Sequence, residues 1–499
     1  MNGTDDLRLL PLFLMRILPD SGLLLVQNHD VTGRTDRATF RSYPCHHSVH
    51  PSSAQSGSLF QPVLSLLFER SFFMASISVL GGGVSGITSA TVLTLLGHEV
   101  RVYTDRRADH AYGSHAPMMA SLYPAASVIP HAVTVDNPAA HLADSQALFD
   151  VFRSEPLFGI RQQLHFEMFE PGARPNGVAD PSYAPALRNF TRCTASLTPS
   201  PSSAGASPTP PLRSDAHGAS GWCFEVTFVE TPRYYDALFS LFEKLGGTIQ
   251  HMHITPDRVQ QLPGDVFVNA LGGAASAVFP DPRPASYLRG VLLLVDSPGL
   301  PHHRDTGRPF SYNYTLDPSV YATENGSAAG VYAYPRRDVW VLGGTKQNGN
   351  IVNGEWTGES MTADVVSIPG LDGGSDVKVP RPIIELNDQL LHDLTGVSIL
   401  DREMRATFGY RYARDLGGDG VRLGTTQTRD GRLIVHNTGH GGAGVTLSWS
   451  CALRVARSVQ AWVGCSVDSA SSADAKPTIA RTLQQHILNH LQRLDVRSA

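Results

Sequence analysis

Residues 77–105, ISVLGGGVSGITSATVLTLLGHEVRVYTD, decide the fold. The apolar opening at 77–80 reads as a short buried strand. Gly81, Gly83 and Gly86 follow at the spacing G-x-G-x-x-G, and an apolar segment running to Leu96 and closed by Gly97 reads as a helix. Residues 99–103 alternate as a second strand through Val100 and Val102, and Asp105 stands at its end, about 20 residues beyond the last glycine, where the motif wants an acid. Together these form a β-α-β dinucleotide unit. Bare glycines permit a tight turn and close approach of a pyrophosphate, whose charge meets unpaired amides and the positive end of the helix dipole. The acid can accept from a ribose hydroxyl. The motif alone leaves NAD and FAD open.

Composition narrows the class. A chain of 499 residues with 41% hydrophobic side chains can bury more than one core. The 40 basic and 45 acidic residues give a net charge of -5 with no long basic run, so nucleic acid is not an expected partner. Cys45, Cys193, Cys223, Cys451 and Cys465 are odd in number, widely spaced and lack C-x-x-C, so neither a disulfide framework nor a zinc site is expected. Two histidines, His251 and His253, would share one strand face, but no cysteine or carboxylate set accompanies them and no metal is expected. The longest apolar stretch, 9–26, is broken by Pro11, Arg16, Pro19 and Asp20, which argues against a membrane span.

Along the chain, 1–73 reads as an extension outside the fold: a targeting segment, a disordered tail or, since Met74 precedes the first strand, an overlong gene model. Residues 74–136 are the first part of the dinucleotide domain and end in a loop of small residues, 106–131, suited to lining a ligand. A second domain starts with 137–230, with a helix at 137–152, and carries a low-complexity insert, 195–221, expected to be a disordered surface loop. Residues 231–280 return to the first domain through a helix at 231–245 and strands at 248–254 and 265–269. Residues 281–406 continue the second, with a strand at 286–295, a hairpin of 331–335 and 339–342, and helices at 363–366 and 383–394. Residues 407–465 close the first domain: a strand at 407–413, another at 432–436, the loop Gly439-His440-Gly441-Gly442-Ala443-Gly444, and a helix through Ala452, Val455, Ala456, Val459 and Val463. Residues 466–499 are a linker and a C-terminal helix, 478–494, docked on the surface.

Two glycine loops at opposite ends of the chain, with a third segment at 266–272, imply one extended cofactor held by distant pieces of sequence, which suits FAD. The pieces GGGVSG (81–86), VYAYP (331–335) with VWVLGGT (339–345), FGYRYAR (408–414) and HNTGHGGAGVTLSWSCA (436–452) resemble the D-amino-acid oxidase and D-aspartate oxidase family of flavoenzymes, over about residues 75–463. The resemblance implies an α/β fold: a Rossmann-type FAD-binding domain assembled from discontinuous segments, with an inserted α+β substrate domain on a mixed, largely antiparallel sheet. It implies non-covalent FAD and oxidation of D-amino acids by hydride transfer from Cα to the flavin. Oxygen then gives hydrogen peroxide, and the imino acid hydrolyses to an oxo acid and ammonia. No protein acid or base is required; positioning supplies the rate.

Carried over residue by residue, the resemblance makes Arg411 the fork that grips the substrate carboxylate, assisted by the Tyr332 hydroxyl, while the Gly442 carbonyl accepts from the substrate amine. The implied cofactor set is Gly81, Gly83, Val84, Ser85, Gly86, Asp105, Ser121, Leu122, Ile254, Gly441, Gly444, Val445 and Thr446. Of these, Gly444, Val445 and Thr446 meet the flavin near N1 and O2, where a helix start favours the anionic reduced ring, and Ser121 and Leu122 touch the flavin edge. His440 is read as structural. The chain departs from the family at Ala328, where many members carry tyrosine. Arg336, Arg337 and Arg414 are candidates for the extra basic groups of acid-specific members, although loop charges are usually exposed. The expectation is an oxidase of D-amino acids with neutral side chains. The alternatives are a D-aspartate oxidase, a glycine or secondary-amine oxidase of the same fold, a non-catalytic flavin-binding protein and, from the first motif alone, an NAD-dependent dehydrogenase. An α/β hydrolase is excluded because no G-x-S-x-G elbow exists. Expected partners are a small-molecule D-amino acid and molecular oxygen, without nucleic acid or membrane; a homodimer is the assembly in view. The sequence ends Arg-Ser-Ala where the family often shows Ser-Lys-Leu, so the compartment stays open between peroxisome and cytoplasm.

Overall fold

The computed structural model describes residues 74–499 except 106–120, 122–124, 132, 195–207, 214–215, 217, 284, 298, 324, 353–354, 362–363, 372–373, 415–419, 465–477 and 497–499. Residues 1–65 form a unit of their own, in which the backbone of one antiparallel pair, Leu14–Arg16 with Leu25–Gln27, is described. The other readings of 1–73 lie outside the described residues. Everything that follows concerns the unit 66–499.

Ser76–Leu80 forms the expected first strand and lies inside a six-stranded sheet, between Val266–Asn269 and Glu99–Thr104. Leu433–Thr438 and Thr248–His251 extend the sheet in parallel, and Arg422–Gln427 adds an antiparallel edge. Strand order reverses on either side of Ser76–Leu80, which opens a crevice at its carboxyl end. The helix Val84–Leu95 leaves that point with all but one of its side chains buried. It is buried on all faces, with small Ser85, Gly86, Ser89 and Ala90 admitting close neighbours, and Ser89, Thr91 and Thr94 return their hydroxyl protons to carbonyls four residues back. It packs on the helix Gly444–Val463.

The second sheet has eleven strands and is antiparallel apart from the pair Phe310–Thr315 and Ile160–Phe169. The hairpin of Gly330–Pro335 and Val339–Gly343 forms as read. Met404–Arg414 pairs along Ala285–Asp296, so 407–414 belongs by hydrogen bonding to this sheet and not to the dinucleotide sheet. Four other readings change. The strand at 248–254 stops at His251, because the chain turns into a short helix, Pro256–Gln261. Val365–Ile368 is a strand paired with Val377–Pro380, not part of a helix; β-branched Val365, Val366 and Ile368 suit it. The insert is not loose throughout: 195–207 lies outside the described residues, but Pro211 is buried, Thr209 N–H donates to Asp305 at 3.2 Å, and Arg213 pairs with Glu170 at 2.9 Å. The C-terminal helix Thr478–Val496 is more than a surface attachment. It sinks Ala480, Leu483, Ile487 and Leu491 into the main core, and Gln484 caps the Leu95 carbonyl at 2.8 Å.

Candidate active site

Each glycine of the first loop answers a different constraint. Gly81 has φ 104°, and a Cβ there would lie 2.4 Å from the Ala270 carbonyl oxygen. Gly86 is the contact between helix and turn, where a Cβ would come within 1.9 Å of the Gly81 carbonyl oxygen. Gly83 is the N-cap, and the nearest atom to a Cβ there is Ser121 Oγ at 3.8 Å, so that position faces open space. The first turn of the helix carries no acid, and Val84 N–H donates to Ser121 Oγ at 3.2 Å. The loop therefore presents a positive helix end to the cavity beside it.

That cavity, of about 400 Å³, is lined by Gly81, Gly83, Ser85, Asp105, Ile254 and Gly441 among others. A second, of about 390 Å³, gathers Tyr332, Arg411, Gly442, Val445 and Thr446. Val84, Ser121, Tyr410, Gly441 and Gly444 line both, so they are two chambers of one trench between the glycine loops. His440 ties those loops together. Its Nε2 lies 2.9 Å from Asn437 Oδ1 and its Nδ1 3.4 Å from Ser85 Oγ, while Asn437 donates to Ser89 Oγ at 3.1 Å. Burial lowers the His440 pKa to about 4, so the ring is neutral, with Nε2–H donating and Nδ1 accepting. Gly441 N–H donates to the Tyr412 carbonyl at 3.0 Å, which fixes the second loop beside the strand that carries Arg411.

At the far end Arg411 and Tyr332 line the same chamber, and the Arg411 charge acts on the Tyr332 phenol. Two glycines clear the floor beneath this pair. A Cβ on Gly290 would lie 3.5 Å from both terminal nitrogens of Arg411, and one on Gly343 would lie 2.2 Å from the Tyr332 hydroxyl. Burial raises the Tyr332 pKa, with Arg411 opposing, so the phenol keeps its proton.

The model of the DAO family, described as FAD dependent oxidoreductase, matches residues 76–458. The chain belongs to this family. FAD is its cofactor. Two similar relatives are the D-amino-acid oxidase of Rubrobacter xylanophilus, 26% identical over 77% of this chain and 95% of that one, and the D-amino-acid oxidase of Dictyostelium discoideum, 26% identical over 56% of this chain and 63% of that one. Among solved structures, glycine oxidase from Geobacillus kaustophilus shares the fold at a TM-score of 0.51 and 14% identity, over 78% of this chain and 95% of that one.

The trench fits FAD on its own chemistry, because Gly83 leaves a cradle open at a helix start and Gly444 opens a second helix whose first turn also lacks an acid. Thr446 donates its hydroxyl proton to the Ile129 carbonyl at 3.1 Å; its backbone N–H, in the first turn, is the group left to offer the flavin. Asp105 reaches the first chamber but is half exposed, and His253 Nδ1 lies 3.1 Å from its carboxylate while His251 Nε2 meets its carbonyl at 3.0 Å. The two histidines thus converge on the ribose acid of the motif, and among the described residues no group of metal-ligating side chains is found. Leu122 lies outside the described residues, as does 106–120 of the loop read as lining a ligand.

The basic candidates do not reach the substrate chamber. Arg336 is buried and pairs with an exposed Asp338, half-exposed Arg337 pairs with Glu230, and Arg414, largely covered, pairs with Asp281 at 2.6 Å, so two of the three guanidiniums are covered where exposed charges were expected. Sequence reasoning missed a polar group in that chamber: His131, Glu167, Asn313 and Tyr334. Its signal was present in Ile160–Phe169, where Arg161, Gln163, His165 and Glu167 alternate with apolar Leu164, Phe166 and Met168 in an otherwise buried strand.

Proposed function

We propose that the chain is an FAD-dependent oxidase of D-amino acids. The observation that carries this reading is the Arg411–Tyr332 pair, set in the same chamber as Gly442 and the start of the second helix. The planar Arg411 fork takes the substrate carboxylate in two parallel hydrogen bonds, and the Tyr332 hydroxyl adds a third donor. The Gly442 carbonyl accepts from the amine, so that two substituents of Cα are held, and turning the Cα hydrogen toward the cofactor as the third point selects one hand. Bound FAD supplies the two-electron acceptor and, with oxygen, yields hydrogen peroxide. The released imine hydrolyses to a 2-oxo acid and ammonia. No side chain is assigned as acid or base, because neutral His440 is occupied with Ser85 and Asn437. The D-amino-acid oxidases among its relatives support the choice of substrate class.

A glycine or secondary-amine oxidase is the second reading, favoured by the fold shared with glycine oxidase. Anaerobic absorbance titration of the yellow protein with D-alanine, L-alanine, D-aspartate, glycine and sarcosine separates the readings. Bleaching by D-alanine and not L-alanine is the expected result; bleaching by glycine and sarcosine alone would replace the proposal with the second reading.

A further inference from the structure

The substrate chamber holds an ionised carboxylate that the chemistry above leaves without a task. Glu167 Oε2 accepts from Asn313 Nδ2 at 2.7 Å and lies 3.5 Å from His165 Nε2. Its other oxygen, Oε1, makes no hydrogen bond to a described residue and is not among the atoms sealed from solvent. Beside it, His131 Nδ1 is buried and makes no side-chain hydrogen bond among the described residues. Burial alone would raise the Glu167 pKa, but hydrogen bonds from His165 and Asn313 hold it below the ordinary carboxylate range. An anion only 12% exposed, with one oxygen unbonded among the described residues, is costly, and the cost falls when a cation arrives.

Sheet register shows which cation can arrive. Glu167, Asn313, Tyr332 and Gly343 stand directly opposite one another on four successive strands. The Tyr332 side chain lies over Gly343, away from Glu167 and toward Arg411. The carboxylate-binding end of the chamber is therefore two to three strand spacings from Glu167, roughly 10–14 Å. A substrate α-amino group, on the carbon next to the carboxylate, cannot bridge that span. A cation at the end of a side chain four or five atoms long can, with a charge-assisted hydrogen bond of about 2.8 Å at each end. Besides Arg411, Glu167 and His131, the only ionisable side chain of Lys, Arg, Asp, Glu or His type lining the chamber among the described residues is Lys346, which is exposed and so screened by solvent.

We infer that Glu167 determines specificity by receiving a cationic side-chain group, so that the preferred substrates are D-amino acids ending in an ammonium or guanidinium. This rests on the D-amino-acid oxidase reading and revises the sequence-based expectation of neutral side chains. The holoenzyme should oxidise D-lysine with a kcat/KM at least tenfold above that of D-norleucine, which has the same carbon chain without the charge. Glu167→Gln should bring that ratio to about one, mainly through the KM for D-lysine, whereas Glu167→Asp, which keeps the charge, should hold it above one. A wild-type ratio of one or less overturns the inference without any variant. So does an equal loss on both substrates in Glu167→Gln, which is the signature of a structural ion pair. Turnover of D-alanine with no preference for D-lysine would sink this inference alone; failure of every D-amino acid to bleach the flavin would sink the parent reading and this one with it.

Discussion

Gly343→Ala tests the substrate end of the site without touching either residue that would bind. The new Cβ would lie 2.2 Å from the Tyr332 hydroxyl and 2.3 Å from its ring carbon Cζ. Restoring ordinary contact at about 3.5–4.0 Å requires the ring to retreat by roughly 1.3–1.8 Å. The obstacle is the far end of a side chain and not backbone, so the sheet absorbs the change at about 1–3 kcal/mol and the protein folds. A hydrogen bond does not survive a shift of that size, so the Tyr332 hydroxyl is pulled off the position proposed for the substrate carboxylate. Hydrogen bonds to charged groups contribute about 1.5–3 kcal/mol, which sets the loss in kcat/KM for D-alanine at roughly 10- to 150-fold, expressed as a raised KM. The assay is oxygen consumption at matched FAD content, run on Gly343→Ala, Tyr332→Phe and the double variant. Once the hydroxyl is gone the alanine has nothing further to disrupt, so the two losses should not multiply. A Gly343→Ala enzyme with wild-type KM, or a double variant showing the product of both losses, would refute the role given to Tyr332.

The glycines of the first loop should separate by mechanism. Gly83→Ala meets no protein atom closer than 3.8 Å, so the apoprotein should keep its Tm while FAD affinity falls; Gly86→Ala forces a Cβ to 1.9 Å from backbone and should lower the apoprotein Tm as well, as read by calorimetry of flavin-stripped protein. Asp105→Ala should raise the FAD dissociation constant only about 2- to 12-fold in flavin fluorescence titrations, because the carboxylate is half exposed and shared with His253. His440 gives a pH dependence whose sign is fixed. Its folded pKa of about 4 lies below the ordinary 6.5, so the unfolded chain takes up the proton first, and the stabilisation is whole above pH 6.5 and lost as pH falls toward 4. The slope is up to about 1.4 kcal/mol per pH unit for this one ring. Denaturant melts of wild type and His440→Gln between pH 4.5 and 7 should differ by that slope, and parallel curves would refute it.

What was legible in the chain was local. The strand, glycines and helix of 77–97 carry their own constraints, since turn, cap and phosphate cradle fall within a few residues of each other, and Leu433–Thr438 with the helix Gly444–Val463 repeats the pattern. Errors fell where a neighbour distant in sequence decides the outcome. Val365–Ile368 is a strand because Val377–Pro380 lies beside it, and part of a low-complexity insert is ordered because Asp305 and Glu170 hold it. Arg414 reads as a loop charge until the fold supplies Asp281, 133 residues earlier in the chain.

The two chambers differ for the same reason, and the difference bears on how such a protein changes substrate. The groups that cradle the cofactor are backbone amides and missing side chains, held by helix starts that tolerate almost no substitution: a methyl group at Gly86 already meets a carbonyl. The second chamber is lined in part by side chains delivered by register, with Glu167, Asn313 and Tyr332 standing opposite one another on three successive strands. Each can change without moving the row, because strand pairing is carried by backbone hydrogen bonds and by the opposite, apolar face of Leu164, Phe166 and Met168 in the second core. Selectivity in this fold is therefore written across strands and not along the chain, and a reading of motifs reaches the cofactor long before it reaches the substrate.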